Sequence, residues 1–391
     1  MWQRSGMSGF RFSSNIFGLR SVDEFVAMCH RAENYGYDTI FAADHLGHAA
    51  PFQAVVAAAA ATDRLRVGTL VINVPFWNPA LLAREIATAD ILTGGRLEVG
   101  LGAGHMKWEF DEAGIAWEPL GARTDTLAAT ISELSRLFAG DDYPQQAELR
   151  QRLGFPPLLP VQHQGFGGYG PPLLVGGSGD RVLRIAAQTA DIVGIGGLFQ
   201  IKGQPPGVFR VCTAAEADDR VRFARGCAGE RADKIEWHTL VQVVKVTGDR
   251  RTAAADMAEQ YRGTITAEQI LETPFLFVGT IEEMAGQIIR NRERYGFTYY
   301  TVHEPYLDEF APVIERVRAL DALWSRACGG WPGGYQDRVV DRDFDTVGSG
   351  RLPGTGLGDL DRPRAVEQSR DLVRGVEPLR HGRAGDAGRQ V

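Results

Sequence analysis

Short apolar runs alternate with longer amphipathic ones from residue 10 to residue 302, and this two-beat pattern organises most of the chain. Runs of strand length occupy 10–14, 38–42, 65–73, 96–101, 172–175, 191–195, 237–246 and 298–302. Helical periodicity covers 22–35, 52–62, 80–92, 123–138, 180–190, 214–224, a divided stretch from 252 to 271, and 281–295. Such alternation implies right-handed crossovers and a parallel sheet, and eight units over about 300 residues favour a closed barrel over an open sheet. The predicted fold is α/β, a (β/α)8 TIM barrel over 9–328. The punctuation agrees: Ser21 and Glu24 have capping-box spacing, Gly36 stops the first helix, and Pro51 and Pro79 sit where helices begin.

Two segments break the rhythm. Residues 140–171 are rich in Gly and Pro, so they are expected to be irregular, an insertion over the barrel mouth between the fourth and fifth βα units. Residues 329–391, rich in Gly, Arg and Asp, lack any sustained apolar period and read as a disordered tail. Residues 1–8 form a short N-terminal extension, and Met7 competes with Met1 as the start.

Composition narrows the class. With 44% hydrophobic and 23% charged residues, the chain can bury a sizeable core as a soluble globular protein. A net charge of -7 repels a polyphosphate backbone, so nucleic acid is not an expected partner. Cys29, Cys212, Cys227 and Cys328 have no CxxC spacing, which fits reduced thiols. The absence of a signal-like or membrane-length apolar run makes a cytoplasmic location the expectation.

In a βα barrel, chemistry gathers just after the strands. Asp44 and His45 follow the second run without a break, where an imidazole can donate to a ligand carbonyl or exchange a proton near neutral pH. The competing reading has Asp44 ordering the loop and His45 packing beneath it. Asn73, Val74 and Pro75 follow the third run, and His303 and Glu304 the eighth. After the fourth, Gly104 leads to His105, Lys107 and Glu109; burial would suit Glu109 to acid–base work, although Asp111 and Glu112 compete with it. Gly176, Gly177, Ser178 and Gly179 precede a helix, a phosphate cradle or a plain tight turn. Neither HExxH nor GxSxG occurs, and no metal is expected.

Taken in order, Asp44-His45, the phrase 68–73 leading to Asn78-Pro79 and Ala83-Arg84, and Thr93-Gly94-Gly95-Arg96 running into Gly100–Gly104 resemble the bacterial luciferase-like superfamily. Phrases at 171–177, 190–194, 277–280 and 295–296 extend the resemblance to residue 305, and the pattern is most similar to the actinobacterial branch that uses the deazaflavin F420. The resemblance implies a barrel that holds a flavin-type ring in its mouth. His45 would lie beside the ring and Asp44 would help fix it, with Leu70 and Val71 joined by a cis peptide beneath and Asn73 nearby. Gly104 and Glu109 would flank the ring, while Gly176, Gly177, Ser178 and Gly179 would hold the cofactor phosphate. The activity implied is F420-dependent hydride transfer to or from a small organic substrate, with His45 or Glu109 handling the proton. The alternatives are an FMN-dependent monooxygenase using reduced flavin and oxygen, and a non-catalytic flavin-binding homologue. The resemblance leaves room for a homodimer and for a separate reductase supplying reduced flavin or F420. Two departures stand out. Residues 74–77 lack the arginine usual in that branch, and 140–170 match poorly, so no particular substrate is implied.

Overall fold

In the computed structural model, which describes residues 9–140 and 143–327, eight parallel strands close on themselves. They are β1 Arg11–Ile16, β2 Thr39–Ala42, β3 Arg66–Thr69, β4 Leu97–Gly102, β5 Leu173–Gly177, β6 Ile192–Ile195, β7 Glu236–Leu240 and β8 Phe297–His303. β8 lies beside β1 with Thr301 opposite Ser13, and β3 meets β4 with Val67 opposite Leu97. A two-residue strand, Ile72–Asn73, resumes β3 after a break at residues 70–71 and pairs with the end of β4. All eight expected strands are present.

The helices around them include α1 Val22–Asn34, α2 Pro51–Ala60, α3 Pro79–Leu92, α4 Lys107–Ala113, α5 Leu120–Phe138, α6 Pro144–Leu153 and α7 Asp180–Thr189. Pro51 and Pro79 open α2 and α3, where their missing N–H costs nothing. Ser21 caps α1 by accepting from the Glu24 N–H, although Glu24 does not return the bond, so only half of the expected capping box forms.

Alternation along each strand sorts side chains into inward and outward sets. Facing inward at the N-terminal end of the barrel, Glu98 accepts from Arg11, from Arg66 Nε at 2.6 Å and from the Tyr299 hydroxyl at 3.0 Å, while Arg11 also reaches Glu236 at 2.7 Å. The middle is apolar, with Phe41, Leu174, Ile192 and Tyr299 packed together and Leu70 and Val71 against them. Beside them, the His238 ring meets the Thr301 hydroxyl, which meets Ser13. Asn15 and His303 lie opposite each other at the C-terminal end, where the mouth opens.

The last part of the expected insertion, residues 161–171, does not lie over the mouth. Val161 and Gln162 donate their backbone N–H groups to Asp90 of α3, and the Gln162 amide bonds Leu97 O and Arg66 at the starts of β4 and β3. Residues 161–171 therefore pack at the end opposite the mouth. The reason is topological: helix-to-strand connections begin and end at the N-terminal face of a βα barrel. Nor is the segment irregular throughout, because it contains α6, started by Pro144 and stopped by Gly154 in a left-handed conformation.

A different excursion stands at the mouth. The antiparallel pair Leu198–Gln200 and Phe209–Val211 follows β6 and was not foreseen. The expected strand at 237–246 also divides. Val241 N–H bonds Thr301 O in the barrel while Gln242 N–H bonds Phe275 O, and Val243–Val246 then pairs with Leu276–Gly279 outside it. This transfer builds a satellite core of Met257, Ile270, Leu276 and Val278 that takes in Leu198 and Val211 at the hairpin's root. Among the described residues, no helix is long and apolar enough to cross a membrane. The expectations for 1–8 and 329–391 lie outside the described residues.

Candidate active site

After a four-residue loop, 103–106, the chain behind β4 enters a helix where its glycines suggested a longer loop. In α4 the apolar anchor is Phe110, whose ring meets Phe76 at 5.0 Å and Trp117 at 4.8 Å. Anchoring Phe110 also turns its neighbour Glu109 inward, to 1% exposure, and leaves Asp111 and Glu112 in solvent. The competition between three carboxylates is thus decided by helix phase. Lys107 pairs with Asp111 one turn on, along the outer face.

Glu109 meets His45. Its Oε1 lies 2.8 Å from His45 Nδ1 and accepts the Leu46 N–H at 3.2 Å. An oxygen already receiving a backbone N–H is an acceptor, so the geometry favours the tautomer in which Nδ1 carries the proton and Nε2 is bare. Asp44 points the other way. Its Oδ2 accepts from the Asn73 N–H at 3.0 Å and the Trp77 indole at 2.8 Å, tying the β2 loop to the segment after β3. Burial raises the Asp44 pKa, and those two donors offset part of the rise.

Three further histidines crowd this pair. The His45 ring centroid is 5.3 Å from that of His105 and 5.5 Å from that of His48, while Phe17 stands edge-on to His303 at 4.9 Å and lies 5.6 Å from His48. Burial lowers the pKa of His48 and brings His303 to about 4. His105 is brought to about 4 as well, first by burial and second by the neighbouring His45, although its side chain keeps some contact with solvent. Phe209, from the hairpin after β6, lies 5.8 Å from His105. His48 was missed in the sequence, although it follows His45 by three residues in one loop.

The Leu70–Val71 peptide is cis, as the resemblance implied, and both side chains face the barrel interior. Gly104 has φ +74, and a Cβ there would stand 2.5 Å from Asn73 Oδ1 and 2.8 Å from Phe110. Its missing side chain is therefore demanded by the protein's own packing. Arg123 of α5, also unforeseen, holds this turn in place. Its guanidinium bonds the carbonyls of Ala103, Gly104 and Glu118 and stacks 3.7 Å over the Trp117 ring.

Two sets of groups fit a flavin-type ligand with a phosphate. Asn15 Oδ1, Asn73 Oδ1, His48 Nδ1 and His303 Nδ1 are buried around the mouth with no hydrogen-bond partner in the protein, and buried polar atoms are ordinarily paired. At the end of β5, Gly176 packs flush against Gly194, and Ser178 leads to Gly179, which heads α7 without any side-chain cap. A Cβ at Gly179 would meet nothing, so the first-turn N–H groups of α7 stay approachable by an anion. Gly177 rests beside Val182 in the same turn.

Comparison with known proteins places the fold. F420-dependent glucose-6-phosphate dehydrogenase of Amycolatopsis mediterranei is 32% identical over 143 residues, 34% of this chain and 42% of that protein. The Nakamurella multipartita enzyme of the same name is 26% identical over 262 residues, 63% of this chain and 70% of that protein. Among solved structures, an F420-dependent secondary alcohol dehydrogenase in complex with an F420-acetone adduct superposes with a TM-score of 0.57 at 18% identity, covering 80% of this chain and 100% of that one. The oxygenating constituent of 3,6-diketocamphane monooxygenase from Pseudomonas putida, in complex with FMN, gives 0.58 at 16%, covering 80% and 97%. The family model for luciferase-like monooxygenases matches residues 7–299, nearly the whole barrel, and the chain belongs to that family.

Proposed function

We propose that this protein is an F420-dependent oxidoreductase that moves a hydride between the deazaflavin and a small organic substrate, with His45 as the proton-transferring group. The observation that carries this reading is the 2.8 Å contact of His45 Nδ1 with the buried Glu109 carboxylate, at the mouth and beside the Leu70–Val71 break. Bound F420 would supply the hydride exchange itself. Glu109 orients the imidazole through Nδ1, which leaves Nε2 to take a hydroxyl proton in oxidation or return one in reduction. Asp44 fixes the height of the His45 loop by holding Asn73 and Trp77. Leu70 and Val71 offer an apolar shelf for a ring, Asn73 and Gly104 bound it, and Gly176, Gly177, Ser178 and Gly179 offer backbone N–H groups to the phosphate. Relatives named for F420 support the cofactor choice.

A second reading, FMN with oxygen, draws on one feature: Val74, Pro75, Phe76 and Trp77 present no cation to the mouth for a polyanionic cofactor tail. Titrating the purified protein with F420 and with FMN, followed by cofactor fluorescence, separates the two. Micromolar F420 binding without FMN binding is expected. The reverse establishes the flavin reading, and binding of neither leaves a homologue without redox function.

A further inference from the structure

The loops that surround His45 carry an unusual charge balance. Among the described residues, the loop after β2, the segment at 70–78 and the loop after β4 contain no Lys or Arg, and α4, which follows, contributes only Lys107. Lys107 is committed to Asp111, with both carboxylate oxygens at 2.6 Å. The excursion after β6 contributes Arg210, engaged by Glu216 at 2.5 and 2.8 Å, and Lys202, exposed in the hairpin turn. Arg123 nearby is spent on three carbonyls and the Trp117 face.

Carboxylates are present instead. Asp44 and Glu109 flank His45, and Glu304 stands further round the rim, accepting the Phe17 and Gly18 N–H groups. A phosphate ester brought beside His45 would meet the carboxylates of Asp44 and Glu109 and no guanidinium fork; the remaining cations, Lys202 in the hairpin turn and Arg20 beyond Phe17, stand exposed on the outer rim. The uncapped N-terminus of α7 is the exception, and the proposed cofactor phosphate occupies it.

The remaining surface is neutral or apolar. Met106, Phe209, Leu70, Val71 and Phe17 supply a thioether, rings and aliphatic groups, and the hydrogen-bonding atoms between them belong to neutral Asn and His side chains. Burial keeps His48 and His303 uncharged at neutral pH, so they can donate to or accept from a carbonyl or hydroxyl without adding positive charge.

We infer that the substrate is an uncharged carbinol or carbonyl compound with an apolar body, and not a phosphorylated sugar. This rests on the reading that the barrel mouth is the active site, and it holds for either cofactor. With F420 held in the mouth, the cofactor would exchange the hydride with the carbinol carbon, and His45 Nε2 would take the hydroxyl proton in oxidation or return it in reduction of the carbonyl.

The test uses the full chain and the histidine Cε1–H resonances in NMR, with the His45 signal assigned by comparison with His45→Gln. Cyclohexanone and glucose 6-phosphate are titrated separately, with and without F420 or FMN. Cyclohexanone should give a saturable shift of the His45 signal whose Kd changes less than about twofold between low and high salt, because no ion pair is involved. Glucose 6-phosphate should bind at least about tenfold more weakly, a difference of 1.4 kcal/mol. Equal or tighter binding of glucose 6-phosphate overturns the proposal, and so does the absence of a saturable shift with cyclohexanone. Failure of F420 to bind in the fluorescence titration touches only the cofactor reading, because the NMR shifts are read independently of it.

Discussion

Asp44 Oδ2 receives two donors at once, the Asn73 backbone N–H at 3.0 Å and the Trp77 indole N–H at 2.8 Å, and so joins the loop carrying His45 to the segment following the Leu70–Val71 peptide. Two strands that are neighbours in the barrel are thereby held in one register at the mouth. Asp44→Ala leaves both donors unpaired in a part-buried site, which costs about 1–3 kcal/mol. Asp44→Asn keeps an acceptor oxygen and should lose much less. Chemical denaturation of the two variants checks this, and equal losses would show that charge, not hydrogen bonding, is what matters.

The His45–Glu109 pair should behave as a unit. His45→Ala and Glu109→Gln are each expected to lower kcat by about 100-fold or more, the usual scale of acid–base assistance. Cofactor affinity should stay within about threefold of the parent, since neither change alters the α7 turn. The double variant should be little worse than the worse single. Steady-state kinetics beside fluorescence titration supply both numbers, and full activity in both single variants removes these residues from the chemistry.

Arg123 is a positioning residue. Its Nε holds Glu118 O at 2.9 Å and its Nη1 holds Ala103 O at 3.0 Å, while the plane rests on Trp117. Arg123→Ala should cost about 2–4 kcal/mol by unpairing these carbonyls. Arg123→Lys should recover part of that, because one ammonium cannot serve three acceptors and a ring face together. Hydrogen exchange should rise selectively across 103–110 in both variants. Unchanged protection there would mean that the turn is held by something else.

Acid should weaken the fold in two stages. His238, enclosed in the barrel, has its pKa brought to about 3 by burial, and half-buried His303 to about 4, against about 6.5 in an unfolded chain. Between pH 6.5 and 4 the unfolded chain therefore binds more protons, and stability falls as pH falls, by up to about 1.4 kcal/mol per unit for His238 and less for His303. Burial by itself would raise Glu98, but Arg11 and Arg66 outweigh it and hold its pKa below the ordinary value. Its contribution is present above about pH 4.3 and lost as pH drops through the lowered value. Urea midpoints from pH 7.5 to 4.5 should decline throughout, and His238→Gln should flatten the slope. A flat profile between pH 7 and 5 would contradict this account.

Much of the barrel was legible because local rules and global fold agree. Strand runs such as Ile192–Ile195 are buried on both faces and stay apolar throughout, while helices such as Ile281–Tyr295 keep a period near 3.6. Asp44, His45 and the glycines at 176–179 were visible for the same reason, as polar or permissive residues where an apolar run stops.

What escaped depended on contacts remote in sequence. The run 237–246 reads as one strand, yet Gln242 changes partner from β8 to Phe275, a choice made only when both sheets exist. The Gly- and Pro-rich stretch at 140–171 marks an interruption in the pattern without saying at which end of the barrel it lies; for residues 161–171, Asp90 and Leu97 decide that by binding Gln162. By itself the sequence determined eight βα units and the strand ends where chemistry gathers, because burial imposes its period residue by residue. The tertiary structure alone buried Glu109 while leaving Asp111 and Glu112 in solvent, set it on His45 and brought the hairpin at 198–211 to the mouth, because pairing across a barrel depends on how the chain closes and not on its local composition.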